Sequence, residues 1–531
     1  MTGRIMKQAR ILYHMVRADF LERVRRYSFL LTLAFAAYLA WGSASGLIVL
    51  RLGEYRGVFN SAWVGSMMTL VGTLFISLVG FYIVKNAILR DEQTRVGRIL
   101  ASTPMSRVFY TLAKTLSNFA VLALMIAVLA ATAPFIQFFR AEDTHYQLGT
   151  LLAPFLWVGI PAMAITAAVA VLFETLPVLR GGVGNVIYFF VWVAGFALGH
   201  EKGIDDFAGF VVIARSMQAA LTKVYPAYKE SFSLSIGDTT LATKRFLWTG
   251  VVWTPAIVLH RMLWILVALA IAVIASLFFH RFDPSRAWSL RRPRKFASGA
   301  GANGDAPATG PTPQPSEDRL SARYLTPIQL GRESRFWQLV ISELRLMLKG
   351  QRWWWYAVAL GLLIASAASP TNAARQGVLT AAWLWPALVW SQMGARESRY
   401  STQSLIFCSA RTLQRQLPAV WVAGFIVALL TGGGYALRLL ANADWPLLVA
   451  WFAGALFIPS FALALGVWSG TSKPFEAIYT VWWYLGPLNH APGFDFIGSA
   501  SATSWPVSYI VLSAVLVSAA YFGRRVRMAY A

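Results

Sequence analysis

The charged residues with the most informative spacing lie in one polar segment, residues 90–107, between two long apolar runs. A short helix here would carry Asp91, Glu92, Arg95 and Arg98. Glu92 and Arg95 stand three residues apart, a spacing at which they can form an ion pair on a helix. Charges on an exposed helix steer association with a partner protein, so the segment is a candidate interaction site.

The same segment carries the signals of a sharp turn. Thr103 is a suitable N-cap, and Pro104 is favoured in the first turn of the helix that follows. The pattern predicts a short polar helix, a turn and a helix that enters an apolar layer, with Arg107 beside the turn.

A weaker copy of the segment occurs at residues 396–411. It keeps the charged residues Glu397, Arg399 and Arg411. Ser409 can cap the next helix, but the copy has neither a glycine nor a proline.

Patterns for catalysis are missing from the sequence. No Gly-x-x-x-x-Gly-Lys-Ser/Thr motif occurs, so the chain has no P-loop to bind ATP. The six histidines stand too far apart for a local metal site, and the single cysteine, Cys408, excludes an internal disulfide. We expect no enzymatic activity and no cofactor in this chain.

The composition indicates a membrane protein. Hydrophobic residues make up 57% of the 531 residues and charged residues 13%, which is too apolar for a soluble chain. Apolar runs near the roughly 20 residues needed to cross a bilayer are Ser28–Leu50, Ser61–Val84, Leu116–Phe138, Leu148–Phe173, Val183–Gly199, Met262–Phe279, Trp353–Ser369, Gly377–Met393, Leu417–Leu437, Pro446–Trp468, Ala477–Leu488 and Trp505–Phe522. Because barrel strands would alternate polar and apolar residues, we expect twelve helices.

The positions of the basic residues predict the orientation. Most of the 47 lysines and arginines fall in the two terminal tails and in alternate connections between apolar runs. The positive-inside rule therefore places both termini in the cytoplasm, for a multi-pass protein of the cytoplasmic (inner) membrane. This topology accounts for the formal net charge of +24 without a nucleic-acid partner.

The order of parts is duplicated. Residues 1–282 and 333–531 each contain six apolar runs, and residues 283–332 between them read as a basic, flexible cytoplasmic linker. We expect an all-α polytopic membrane protein of two pseudo-repeated six-helix units.

Each half opens with an amphipathic helix. The apolar faces comprise Ile5, Leu12, Val16, Phe20 and Val24 in the first, and Trp337, Val340, Leu344 and Leu348 in the second. The polar faces comprise Arg10, Arg17, Arg23 and Arg26 in the first, and Arg335, Gln338, Ser342, Arg345, Lys349 and Arg352 in the second. Such a helix lies along a membrane surface, although a soluble packing helix is the alternative.

This arrangement resembles the ABC exporter permeases of the second type. The resemblance is carried by Asp91, Glu92, Gly97 and the run Leu100–Arg107, ahead of a third apolar run that carries Lys114. In that family a six-helix unit has an interfacial N-terminal helix, and a cytoplasmic helix between spans two and three docks on an ATPase. The resemblance implies two fused units, two ABC ATPase subunits as partners, and ATP and magnesium bound by those partners.

Coupling to the ATPase is then expected to involve the first-segment residues Asp91, Glu92, Arg95, Arg98 and Arg107, and the second-segment residues Glu397, Arg399 and Arg411. Glu174 and Glu476 lie between the fourth and fifth runs of their halves, near Arg180 and Lys473, and either contact the partner or form local ion pairs. The middles of the apolar runs carry no charged residue, whereas ion-coupled transporters need one, so a separate ATPase is favoured as the energy source.

The fifth run of each half is short, and in the second half Gly486 and Pro487 interrupt it. Interrupted segments at matching positions of two repeats point to a substrate path. Aromatic residues that could line it are Tyr188, Phe189, Phe190, Trp192, Tyr479, Trp482, Trp483 and Tyr484. These rings suit a hydrophobic or amphipathic cargo, but they could equally be core or interface residues. The alternative function is a non-transporting membrane scaffold or sensor, or a membrane-embedded enzyme.

Overall fold

The computed structural model describes residues 2–25, 27–45, 48–140, 142–143, 145–202, 206–226, 232–236, 244–282, 336–370, 373–408, 412–491, 493–498 and 506–530. The expected linker, residues 283–332, lies outside the described residues.

The described residues up to Phe282 form a first half. Its elements are α1 (Thr2–Val24), α2 (Tyr27–Ser45), β1 (Ile48–Leu52), β2 (Tyr55–Gly57), α3 (Ser61–Val84), α4 (Ala87–Gln93), α5 (Val96–Ser102), α6 (Arg107–Arg140), α7 (Leu148–Pro154), α8 (Ile160–Thr175), α9 (Gly182–Lys202), α10 (Phe210–Val224), β3 (Phe232–Ile236), β4 (Lys244–Phe246) and α11 (Pro255–Phe278). A π-helical turn, Phe155–Gly159, joins α7 to α8.

The second half begins at Phe336. Its elements are α12 (Phe336–Leu348), α13 (Trp353–Ala368), α14 (Leu379–Leu384), α15 (Ala387–Trp390), α16 (Arg396–Arg399), α17 (Gln403–Phe407), α18 (Thr412–Ala441), α19 (Trp445–Ser469), α20 (Lys473–Trp483) and α21 (Pro506–Tyr530). Two more π-helical turns, Ala374–Val378 and Tyr484–Leu488, precede α14 and follow α20.

Seven helices in the described ranges are long and apolar enough to cross a membrane. They are Ser61–Gln93, Arg107–Phe139, Leu148–Thr175, Pro255–Phe278, Thr412–Ala441, Trp445–Ser469 and Pro506–Ala529. Three shorter apolar helices are Leu33–Ser43, Gly182–Phe196 and Trp353–Ala368. The chain is therefore a mostly helical, polytopic membrane protein.

The helices of some predicted apolar runs are interrupted. The run Gly377–Met393 is divided into α14 and α15 by Trp385 and Pro386, because proline cannot donate the backbone hydrogen bond of a continuous helix. The interruption expected at Gly486 and Pro487 is the π-helical turn that ends α20.

A small sheet departs from the all-helical expectation. Strand β1 pairs antiparallel with β3 and with β2, β2 pairs parallel with β4, and the strand order is β3-β1-β2-β4. The first apolar run thus leaves helical structure after Ser45 and does not continue to Leu50. Ile48, Leu50 and Leu52, which lie on one face of the strand, are buried in the first-half core.

Close helix packing in each half depends on glycine. A Cβ at Gly65 of α3 would collide with the carbonyl of Leu151 in α7. In the second half a Cβ at Gly466 would collide with the carbonyl of Met393. Small residues let helix backbones approach closely where apolar burial gives no driving force, as in a bilayer.

The opening helices differ from their predicted faces. Arg23, expected on the polar face of α1, is buried, and that burial lowers its pKa to about 10. In α12 the buried side comprises Val340, Glu343 and Met347, whereas Trp337 is exposed.

Candidate functional site

The polar segment after α3 folds as two short helices, α4 and α5. Arg95 stands between them in the left-handed conformation, with a φ of 62°. The helix α6 begins at Arg107, and Ser106 Oγ accepts a hydrogen bond from the Phe109 N–H at 3.2 Å. The cap predicted at Thr103 is therefore wrong, because that residue instead ends α5, where its N–H donates to the Leu100 carbonyl.

Glu174 holds the N-terminus of α4. Its Oε1 accepts hydrogen bonds from the N–H groups of Asn86 at 2.6 Å and Ala87 at 2.9 Å. Its Oε2 accepts one from the N–H of Ile88 at 2.6 Å. Orphan N–H groups and the helix dipole both favour a carboxylate at this position. Glu174 therefore fixes where the polar segment starts; the nearby Arg180 forms an ion pair with Glu92 instead.

Replacing Glu174 with alanine should lower the free energy of unfolding by about 1–2 kcal/mol, because the buried N–H groups of α4 lose their acceptor. Glu174→Gln should cost less, since the amide oxygen can still accept. Thermal unfolding of the purified protein in detergent measures both changes. Glu54→Ala, whose side chain is 72% exposed, is the control and should leave the midpoint unchanged. An equal midpoint for Glu174→Ala and the control would contradict the capping role.

Asp91 lies on the inner side of α4, where it is 5% exposed. Its Oδ2 accepts a hydrogen bond from the Tyr110 hydroxyl at 2.8 Å and pairs with Lys114 Nζ at 2.7 Å. Lys114 also pairs with Asp19 of α1 at 2.7 Å. These bonds join three helices, α1, α4 and α6. Asp91, expected at the partner contact, is thus an internal anchor of the segment.

The outer side of the segment combines positive charge with apolar surface. The exposed basic residues are Arg95, Arg98 and Arg107. The exposed apolar residues are Val96, Ile99 and Val108. The charge of Glu92 is countered by Arg180. This surface suits a partner that presents acidic residues around an apolar depression.

The second segment is anchored by charges on other helices. Glu397 of α16 is buried and pairs with Arg524 of α21 at 2.8 Å. Burial alone would raise the pKa of Glu397, but the hydrogen bond and charge of Arg524 outweigh it and hold that pKa below the usual range. Arg399 is exposed, as is Cys408 at the end of the segment. Arg411 and Ser409 lie outside the described residues.

An arginine–acid pair opens both segments. In the first, Arg90 approaches Asp19 of α1 at 3.5 Å. In the second, Arg396 pairs with Glu343 of α12 at 3.0 Å. The following acids, Asp91 and Glu397, each pair with a buried cation on a membrane helix. The sequence signal for these pairs was an Arg-Asp or Arg-Glu dipeptide at the start of each segment, together with an acid on each amphipathic helix.

Glu476 lies where the two halves meet and not at the protein surface. It is 3% exposed, accepts a hydrogen bond from the Asn185 amide of α9, and accepts another from Ser391 Oγ at 3.1 Å. Lys473 donates to the carbonyls of Tyr82 at 2.8 Å and Lys85 at 2.5 Å. First-half and second-half groups are thereby bonded together at this end of α9 and α20.

The aromatic residues predicted to line a path are mostly packed inside. Tyr188 donates to the Ser77 carbonyl at 2.9 Å, and Trp192 Nε1 donates to Ser77 Oγ at 2.8 Å. Tyr479 donates to the Trp383 carbonyl at 2.8 Å, and its ring is fully buried.

Two of these rings from each half meet at the seam between α9 and the end of α20 with its π-helical turn. Phe189 lies 5.4 Å from Tyr484, and Phe190 lies 6.1 Å from Trp483. Trp482 turns away from this seam and donates to the Phe494 carbonyl at 3.1 Å. The seam is thus closed by aromatic contacts.

Comparison of the chain with protein-family models, curated proteins and solved structures returned no match. The class of protein accordingly rests on the fold, which is that of a helical membrane protein. The first polar segment of this fold exposes both arginines and apolar side chains.

Proposed function

We propose that the chain is the transmembrane permease subunit of an ATP-driven ABC exporter, which moves a hydrophobic or amphipathic substrate across the cytoplasmic membrane. The observation that carries the proposal is the two-sided construction of the first polar segment. Arg95, Arg98 and Ile99 are exposed, whereas Asp91 and the Glu174 cap fasten the same segment to the membrane helices. A partner that moves the exposed side would move those helices too.

The twelve-span, two-unit architecture belongs to this proposal. It is supported by the recurring pairs Arg90–Asp19 and Arg396–Glu343, each of which ties a polar segment to the amphipathic helix of its own half. Two ABC ATPase subunits would dock, one on each half, and they would bind the ATP and magnesium. We expect the second polar segment to make the smaller docking contact. Its Glu397 is buried, so among the described residues of that segment the contact would depend on the exposed Arg399.

The seam between α9 and α20 is the proposed substrate route. Its facing rings, including Phe190 and Trp483, offer an apolar lining, which suits a lipid-like cargo. Because these rings are in contact, transport would require α9 and α20 to separate. The bonds of Glu476 and Lys473 to the first half would have to break as they do so.

Reconstitution with a P-loop ATPase encoded next to the chain's gene tests the function. The two proteins should copurify, and in lipid vesicles the membrane subunit should stimulate ATP hydrolysis. A partner whose P-loop lysine is replaced is the control for contaminating ATPases. Failure of the ATPase to copurify would overturn the proposal and leave a membrane scaffold, sensor or enzyme in its place.

Both termini are expected in the cytoplasm. The charge distribution favours this orientation, and an even number of spans requires the two termini to share one side. Protease access to a tag at either end, measured in intact and in opened cells, checks the expectation. Access to one tag alone in intact cells would exclude the twelve-span count, and the short α20 would be the first span to reconsider.

A further inference from the structure

The helix α11 is attached to different parts of the first half at its two ends. Between the ends it packs on α8 and α6, and its buried residues there are the small Ala268, Ala272, Ala275 and Ser276. Much of the remaining surface is exposed, as at Leu266 and Leu277. Small residues let helix backbones approach closely, and α11 connects the two end attachments as one continuous helix.

At the end next to the polar segment, Phe282 fits against Gly97 of α5. A Cβ on Gly97 would lie 2.7 Å from the Phe282 ring, so only glycine leaves room for it. The ring also packs edge-on against Tyr110 at 5.5 Å and Phe279 at 5.2 Å. Arg281 donates to the Thr103 carbonyl at the end of α5.

The backbone of this attachment is strained. Arg281 and Phe282 have φ angles of 51° and 62°, a left-handed conformation that non-glycine residues avoid. Strain of this kind persists where surrounding contacts over-determine it, and it concentrates at functional sites. The contacts of Phe282 with Gly97 and Tyr110 are those that hold it here.

At the opposite end, Arg261 fastens α11 to α10. Its guanidinium is fully buried and pairs with Asp206 Oδ2 at 2.7 Å. The same carboxylate oxygen accepts hydrogen bonds from the N–H groups of Val211 at 3.1 Å and Val212 at 3.2 Å, in the first turn of α10. The first residue of α10, Phe210, packs against Phe196 of α9 at 5.4 Å.

We propose that α11 relays movement between the polar segment and α10, with Phe282 and Arg261 as the positioning residues at its two ends. The role of this relay rests on the proposed function: docking at α5 would shift α10, which packs against Phe196 of α9. The physical link itself needs no partner. A test on the chain alone can therefore contradict the relay while the exporter proposal stands. The relay can likewise hold if the exporter proposal fails.

Amide hydrogen exchange of the purified chain in lipid nanodiscs tests the link. Phe282→Ala should speed exchange of the α10 amides about threefold or more, because the released α11 no longer holds Asp206 in place. By reciprocity, Arg261→Gln should speed exchange of α5. Leu277→Ala, which alters a side chain of α11 that is 68% exposed, is the matched control. It should leave both regions unchanged.

Phe282→Leu and Gly97→Ala extend the test should Phe282→Ala fail to fold. The leucine variant keeps an apolar side chain but loses the ring contacts, and the alanine variant displaces the ring from the α5 side. Both should speed exchange of α10 while the second-half helix α19 stays protected. The proposal would be overturned if amide exchange in these variants became faster only at α5 and the end of α11, while α10 exchanged at the same rate as in the Leu277→Ala control.

Discussion

Arg95→Glu combined with Arg98→Glu is expected to reduce stimulation of the partner ATPase at least about tenfold, with the membrane subunit still folded. Both side chains are exposed on the outer side of the first polar segment, beside Val96 and Ile99. Reversing them would oppose like charges across an interface that we expect to be acidic on the partner. Charged groups at an interface mainly set the association rate and the choice of partner, so the loss should shrink at high salt.

The matched control is the double reversal Arg25→Glu and Arg525→Glu. These arginines are also exposed, and they lie outside both polar segments. The net change in charge is the same, so a general electrostatic effect on the partner would appear in both variants. Stimulation that falls equally in the two variants, or in neither, would remove the first segment from the docking site.

Lys114→Met is expected to have the largest effect on stability, about 3–5 kcal/mol. Lys114 is 1% exposed and lies between Asp91 and Asp19, each 2.7 Å away. Without its ammonium, two carboxylates stay largely buried with one less cation to balance them. The midpoint of thermal unfolding in detergent measures the loss, and Lys7→Met, on the exposed side of α1, provides the baseline.

A second substitution separates lost pairing from lost packing. Lys114→Met with Asp91→Asn removes one of the stranded charges and should recover part of the stability. A double variant as unstable as the sum of the two single variants would contradict an energetic link between these side chains.

The membrane helices were predictable because the bilayer imposes one rule on every crossing segment. Runs such as Ser61–Val84 must satisfy their backbone hydrogen bonds internally, so apolar length alone identifies a helix. The sheet escaped prediction because two of its three strand pairs join distant parts of the sequence, as with Ile48 and Ile236. Pairing between strands so distant in sequence depends on the fold of the whole chain. Ile48 also lies at the end of an apolar run that was predicted to span the membrane.

The sequence predicted where the candidate site lies, but it predicted the roles of the site's residues only in part. Its charges mark a polar helix, but which charges turn inward depends on helices elsewhere in the chain. Asp91 is buried where it pairs with Lys114 of α6, and Glu476 where it accepts a hydrogen bond from Asn185 of the other half. Thr103 fits the pattern of a helix cap, yet the chain takes three more residues to turn and uses Ser106. Local sequence patterns do not show which residues from distant parts of the chain approach one another in the folded protein.

Cys408 gives the second polar segment a property of practical use. It is the single cysteine of the chain, and its thiol is exposed one residue after α17. A maleimide dye added to the unaltered protein would therefore attach at one known position. A fluorophore placed there would report on whatever approaches the second segment, with no native cysteine to remove beforehand.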